Sequence, residues 1–369
     1  MVRPHTYGAI CASMWRCSGA HSGSVMGPVK KLWARFAPVS GLRRYIEVHQ
    51  RQSCSRKPKA MQLITEAQVA QVLTLPEAMA ALREAFTQQG QGMGAVLARS
   101  RAGTTHLGTG AALMVSAMGA ALPAAGVLGT KVYATLNGQF QFVITLFSAE
   151  TGLPLATLEA NELTRLRTAA TTAVAADALA PAQARTLAVF GAGTQAKAHV
   201  QALLPLRPFE RVLVCARSGA EAFAAEIAAA QSINAQAVDA RTAASHAEVI
   251  VTCTRSSEAL FEGAWVRAGS FVAAVGSSKP AARELDDALL ARADLVAVEW
   301  LPAAKAEAGE FVRAAPGVIA ADKVFELGAL LAQPRPRRPS DLIVYKSVGI
   351  GLEDVALAKL VFDRLNPQG

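Results

Sequence analysis

The sequence predicts an α/β protein in which a parallel-sheet domain is inserted into an α+β domain. Three observations carry this. From Pro181 apolar strands and helices alternate; before it, a segment rich in Gly, Thr, Val and Phe follows one or two amphipathic helices; from about Val324 a helix, a Pro/Arg-rich loop and a last strand and helix close the chain. Regular alternation places helices on both faces of a parallel sheet. The expected division is 1–60 as a basic extension, 61–180 plus 324–369 as the α+β domain, and 181–323 as the inserted domain. With 369 residues, 52% of them apolar and 18% charged, the chain has material for two cores, which excludes a disordered or fibrous protein.

Each element has a local reason. Val69, Val72, Leu73, Leu75, Ala78, Leu82 and Phe86 recur at helical spacing up to Gly90. QFQFVITLF (139–147), the turn SAETG and LPLATLEA read as a hairpin. Asn161 is expected to cap a helix that runs to Pro181. Strands follow at TLAVFGAG, RVLVCA, EVIVTCT, SFVAAVG and LVAVE. The uncharged run 102–130 holds six Gly and Pro123 with dispersed aliphatics, so it reads as buried strands and turns and not as a membrane span.

The net charge of +9 is concentrated at one end. Residues 1–60 hold eleven Lys or Arg against the single acid Glu47, and the remainder is close to neutral. A near-neutral body argues against nucleic-acid binding by the folded part, because phosphate affinity needs clustered cations. The basic stretch fits a targeting segment, a basic arm for an acidic partner, or a tail upstream of a true start at Met61; the clean helical pattern opening at Met61 favours the last. Beyond it, Cys215 and Cys253 form no CxxC pair and no ligand cluster with His106, His199 or His246. Neither a disulfide framework nor a metal site is indicated, and a cytoplasmic location is expected.

The strongest local motif is TLAVFGAGTQAKAHVQALL at 186–204. Gly191 and Gly193 follow an apolar strand and open a helix, with Ala196 in the third small position. This is the dinucleotide-binding turn of a Rossmann fold: it allows close backbone approach to a pyrophosphate, whose charge the helix N-terminus favours. The next strand ends Cys215-Ala216-Arg217-Ser218, without the acid usual in NAD-specific folds. Arg217 and Ser218 could meet a 2′-phosphate, so NADP(H) is preferred and NAD(H) possible; the plain alternative is a solvated arginine.

Arg167 lies on the helical stripe of Leu163, Ala170, Val174 and Ala178, which should face protein. A buried arginine needs an anion. The candidates are a substrate carboxylate, the pyrophosphate, or an internal partner such as Glu159 or Glu162. Lys131 interrupts the apolar GVLGTKVYA, where it either snorkels to solvent or points at a ligand.

Four segments in this order, LTRLRTAA (163–170), LAVFGAGTQA (187–196), AVGSSKPAARELDDAL (274–289) and KSVGIGLEDVALAKLV (346–361), resemble the ornithine cyclodeaminase/μ-crystallin family over roughly residues 63–365. The resemblance implies a Rossmann domain inserted into an α+β domain that dimerises through its sheet. It implies that Lys131 and Arg167 hold a substrate carboxylate, together with Arg99, for which Arg101 is the alternative. It places Thr194 and Gln195 along the dinucleotide, and Thr252, Thr254, Val275, Gly276 and Val348 around its nicotinamide half.

One departure bears on function. Cyclodeaminases of the family carry GxDxPGKxEL where this chain reads Gly276-Ser277-Ser278-Lys279-Pro280 onward, so Ser278 stands in place of the aspartate. A serine cannot act as a carboxylate base at neutral pH. A second departure is ATLNGQF after Lys131, a reduced form of the family's segment there. The expected activity is therefore NADPH-dependent reduction of a cyclic imino acid. Two alternatives stand beside it: an ornithine cyclodeaminase whose base has moved to Glu284 or Asp286, and a non-catalytic binder of NADPH and a small ligand.

Overall fold

The structure is a computed structural model that describes residues 61–367; the three readings of the basic extension lie outside the described residues. The chain opens with β1 (Gln62–Ile64), α1 (Glu66–Val72) and α2 (Leu75–Gly90). Thr65 and Gln68 form a reciprocal capping box that starts α1, and Pro76 sits in the first turn of α2. Five longer strands follow: β2 (Ala95–Thr105), β3 (Ala112–Leu122), β4 (Val127–Leu136), β5 (Gln139–Ser148) and β6 (Pro154–Glu159). They form a six-stranded sheet in the order β1-β6-β5-β4-β3-β2, antiparallel except for the β1–β6 pair. The expected β5–β6 hairpin is present.

The uncharged run becomes strands and turns, but only one face of them is buried. Val115, Leu128, Val132 and Val143 stay exposed on the outer face, whereas Met118, Lys131 and Ile144 are buried on the inner one. Strand β2 carries an irregularity that decides the site. Its register with β3 shifts between Leu97 and Ser100, so Leu97 pairs with Gly119 on the outer face and Arg101 pairs with buried Ser116 on the inner face. An extra residue in one strand reverses which side chains point inward from there on.

Helix α3 (Asn161–Leu179) is buried along most of its length and packs between the two halves of the fold. The expected Asn161 cap is corrected: Asn161 is the first helical residue, and its Oδ1 accepts from Phe142 N–H. Glu66 does the capping from α1, its two oxygens accepting the free N–H groups of Asn161 at 2.6 Å and Glu162 at 2.9 Å. A carboxylate from another helix here does what a local side chain usually does.

Beyond α3 come β7 (Thr186–Phe190), α4 (Thr194–Leu203), β8 (Arg211–Cys215), α5 (Ala220–Gln231), β9 (Asn234–Ala237), α6 (Ala240–His246), β10 (Val249–Thr252) and β11 (Phe271–Ala274). They are followed by α7 (Asp287–Arg292), β12 (Leu295–Val298), α8 (Leu301–Glu307), α9 (Gly309–Val312), β13 (Val324–Glu326), α10 (Leu327–Ala332), β14 (Ile343–Lys346) and α11 (Gly351–Leu365). The strands form one parallel sheet, β13-β12-β14-β11-β10-β7-β8-β9. The order reverses between β7 and β10, which is where doubly wound sheets bind ligands.

The tail 324–369 divides, contrary to its assignment as a block to the first domain. β14 is hydrogen-bonded between β11 and β12, and β13 extends the same sheet. Helices α10 and α11 instead pack on α2, and α11 also lies across the inner face of β3 and β4. All four residues of β14 are buried, as a central parallel strand requires. One apolar core runs from Phe86 and Ile144 through Val174 to Val189 and Phe271.

Candidate active site

Two structures meet at the C-terminal edge of the parallel sheet: an open cleft and a buried cluster of ions. The cleft, about 660 Å³, lies over the ends of β7, β8 and β10 and is lined by Gly191, Gly193, Arg217, Ser218, Cys253 and Thr254 among others. Gly191 has φ +114°, and a Cβ there would lie 2.8 Å from the carbonyl oxygen of Cys253, so only glycine fits. Gly193 precedes α4 with no side-chain cap, and a Cβ added to it would meet nothing within 4 Å. The free N–H groups of α4 thus face open space beside a narrow turn, the arrangement that receives a pyrophosphate. Arg217 and Ser218 are exposed at one side of the cleft. Residues of this fold fit a dinucleotide.

The remaining residues expected around the cofactor sit along the same sheet edge. Thr194 is the first residue of α4, and Gln195 follows it with a buried Oε1 that meets no partner among the described residues. Thr252 and Gly276 are both tied to Glu284: its oxygens accept from Thr252 Oγ1 at 2.7 Å, Thr254 N at 2.8 Å, Thr254 Oγ1 at 2.7 Å and Gly276 N at 2.7 Å. Val275 N–H donates to Thr252 O, and Val348 N–H to Glu299. Glu299 also accepts from Tyr345 Oη, Ser347 Oγ and Gly349 N, pinning the loop after β14. Burial and the neighbouring Glu299 push the Tyr345 phenol well above its usual range, keeping it a neutral donor.

The buried cluster brings together Lys131, Arg167 and Arg99. Lys131 does not snorkel: it is 0% exposed, and its Nζ donates to Asp354 Oδ1 at 2.9 Å and Thr164 Oγ1 at 2.7 Å, 4.2 Å from the centre of the Phe142 ring. Burial lowers it to about 7, Asp354 pulling upward and Arg167 downward. Arg167 donates to Glu353 at 2.8 Å and lies 3.3 Å from Asp354. An internal partner was foreseen for Arg167, but not this one: Glu159 accepts from Glu66 N–H and Glu162 pairs with Arg165. Burial opposes the Arg167 charge, but Asp354 and Glu353 outweigh it, so the guanidinium stays protonated. Gly349 closes over it with φ +72°; a Cβ there would come within 2.5 Å of Arg167 Nη1. Burial, against Arg167, raises Glu353 to about 7.

Arg99 and Arg101 both reach the cluster through the irregular turn of β2. Glu307 accepts from Arg99 at 2.5 Å and from Arg101 at 2.8 Å. Arg99 is nearly buried and also donates to the carbonyls of Val348 and Gly349; Arg101 is more exposed and donates to Ser278 O at 3.3 Å. Tyr133 and Phe142, with ring centroids 5.1 Å apart, line the inner face beside Lys131.

Of the buried acids the sequence pointed only to Glu284, as an alternative base; Glu299, Glu307, Glu353 and Asp354 were missed. Glu284, Glu299, Glu307, Glu353 and Asp354 are buried and hold the cations and loops of the site. Their signal was an excess of carboxylates inside apolar stretches, GLEDVALAKLV above all.

A family model for the "Ornithine cyclodeaminase/mu-crystallin family" matches residues 59–369. A ketimine reductase mu-crystallin of Mus musculus is 34% identical over 60% of this chain and 69% of its own length. Among solved structures, a probable ornithine cyclodeaminase from Bordetella pertussis Tohama I has a TM-score of 0.78 and 42% identity, covering 83% of this chain and 97% of its own. Thermococcus litoralis Δ1-pyrroline-2-carboxylate reductase, solved with NADH and L-proline, has a TM-score of 0.75 and 25% identity, covering 82% and 97%. The chain that folds around this cleft and this ion cluster belongs to the ornithine cyclodeaminase/mu-crystallin family.

Proposed function

We propose that the protein is an NADPH-dependent reductase of cyclic imino acids with a 2-carboxylate, forming proline or pipecolate. The observation that carries this reading is the commitment of the acids near Ser278. Glu284 already accepts four hydrogen bonds. Asp286 caps α7 through Leu289 N–H and accepts from Gly263 N–H. Neither is spare to replace the cyclodeaminase aspartate, so ammonia elimination lacks its base while reduction of an already formed imine does not need one.

In this reading Lys131 and Arg167, with Arg99 behind them, fix the substrate carboxylate and so orient the imine carbon. Tyr133 and Phe142 offer an apolar wall suited to ring methylenes. Gly191, Gly193 and Thr194 would hold the pyrophosphate, and Arg217 with Ser218 the 2′-phosphate; the bound dinucleotide supplies the hydride. The exposed aliphatics Val115, Leu128, Leu136 and Val143 on the outer sheet face support a homodimer through that face. Among the described residues no helix is long and apolar enough to cross a membrane, and we place the enzyme in the cytoplasm.

The test is NADPH oxidation with cyclic and open-chain imines, run beside ornithine with NAD. Turnover of a cyclic 2-carboxylate imine without ammonia release from ornithine supports the reading. Ammonia and proline from ornithine would overturn it in favour of the cyclodeaminase, and cofactor binding without turnover of any imine would indicate the binder.

A further inference from the structure

We propose that Asp354 is a positioning residue: one carboxylate that aligns Lys131 with Arg167 and supplies the counter-charge on which the Lys131 ammonium depends. This deepens the reductase reading and rests on it for the kinetic arm of its test. Asp354 lies in the first turn of α11, fully buried, with Oδ1 2.9 Å from Lys131 Nζ and 3.3 Å from Arg167 Nε. Its Oδ2 is buried and meets no partner among the described residues. A buried carboxylate with an idle oxygen is costly, so its presence points to an effect on its neighbours beyond hydrogen-bond satisfaction.

Those neighbours divide the work. Arg167 is already held by Glu353, whose other oxygen accepts from Ile350 N–H, so its placement does not need Asp354. Thr164 can orient Lys131 but carries no charge. Around the lysine stand Arg167 and Thr164 on α3, Arg99 on β2, Phe142 on β5 and Asp354 on α11. The two guanidiniums push its proton off, burial does the same, and Asp354 is the acid in direct contact that keeps it on. A neutral lysine would lose its charge-assisted grip on a substrate carboxylate.

The sign follows. With Asp354 present Lys131 titrates at about 7, so kcat/KM for imine reduction should fall about tenfold per pH unit above that value. In Asp354→Asn the midpoint should move at least about one unit lower, with the low-pH plateau within about tenfold of wild type. An equal loss at every pH with an unmoved midpoint overturns the proposal, because it marks a merely structural residue. A second measurement needs neither the Asp354 variant nor turnover. In wild-type protein labelled at lysine 13Cε and aspartate 13Cγ, the Asp354 carboxylate should report the same transition as Lys131, with the lysine signal assigned by its loss in Lys131→Met. Independent transitions overturn the proposal. If no imine is reduced at all, the kinetic arm fails with the reductase reading, while the spectroscopic arm still decides the role of Asp354.

Discussion

The nucleotide cleft and the ion cluster adjoin, yet they are built on opposite principles. The cleft is local: three short turns, after β7 (190–193), β8 (215–219) and β10 (253–256), supply most of its lining, and Arg217 and Ser218 stand exposed beside it. The cluster is global: β2, β4, α3, α8 and α11 each contribute one or two charges, and nearly every charge has an internal partner. Sites built from local turns are set by backbone geometry and tolerate change around them. Sites built from long-range ion pairs are set by mutual charge, so losing one member leaves the others buried and unpaired.

The comparison predicts that the largest effects come from the cluster. Lys131→Met should lower kcat/KM for imine reduction about a thousandfold or more, combining a lost charge-assisted contact with a misplaced imine carbon. NADPH affinity should stay within about threefold of wild type, since the cleft shares no ion pair with Lys131. Steady-state rates and a cofactor titration on one preparation check both, and loss of cofactor binding together with activity would erase the distinction between the regions.

His199 joins the regions and should show an acid sensitivity that neither has alone. On α4, its Nε2 meets Thr172 Oγ1 of α3 at 3.0 Å and its Nδ1 meets Gln195 O at 2.7 Å. Burial lowers it to about 4 from 6.5. The unfolded chain therefore binds the proton first as pH falls, so stability drops between about pH 6.5 and 4, by about 3 kcal/mol in all, and levels off below. Urea midpoints across this range should show the slope, and His199→Gln should flatten it. An unchanged slope in that variant would assign the acid sensitivity to other groups.

Smaller effects belong to the cleft. Arg217→Asp should weaken NADPH by roughly tenfold to a hundredfold, the value of one charge-assisted contact, and NADH much less. Equal weakening of both would make Arg217 an ordinary solvated side chain. Smallest of all, a chain starting at Met61 should match the full chain in melting temperature and turnover. A loss of either would show that the basic stretch belongs to the working protein.

The same contrast explains what the sequence could and could not disclose. The glycine turn, the alternating strands and the hairpin are short-range patterns, and all are legible in consecutive residues. Lys131 and Arg167 were legible as charges in apolar surroundings, but their partners Asp354 and Glu353 lie nearly two hundred residues or more away. Burial of β14 between β11 and β12 was illegible for a related reason: IVYK is too short to say which sheet recruits it. The choice between Arg99 and Arg101 could not be made because both turn out to share Glu307.

That sharing depends on the register shift in β2, and this ties chemistry to assembly. If pairing ran on regularly from Leu97 and Gly119, Arg99 would fall opposite Ala117 and Arg101 opposite Val115, on the side that Val132 also occupies. Loss of the shift would then do two kinds of harm. It would strip cations from Glu307, and it would plant guanidiniums in the aliphatic surface proposed to join two subunits. The irregularity of this strand is thus held from both sides, by the reaction within and by the partner without.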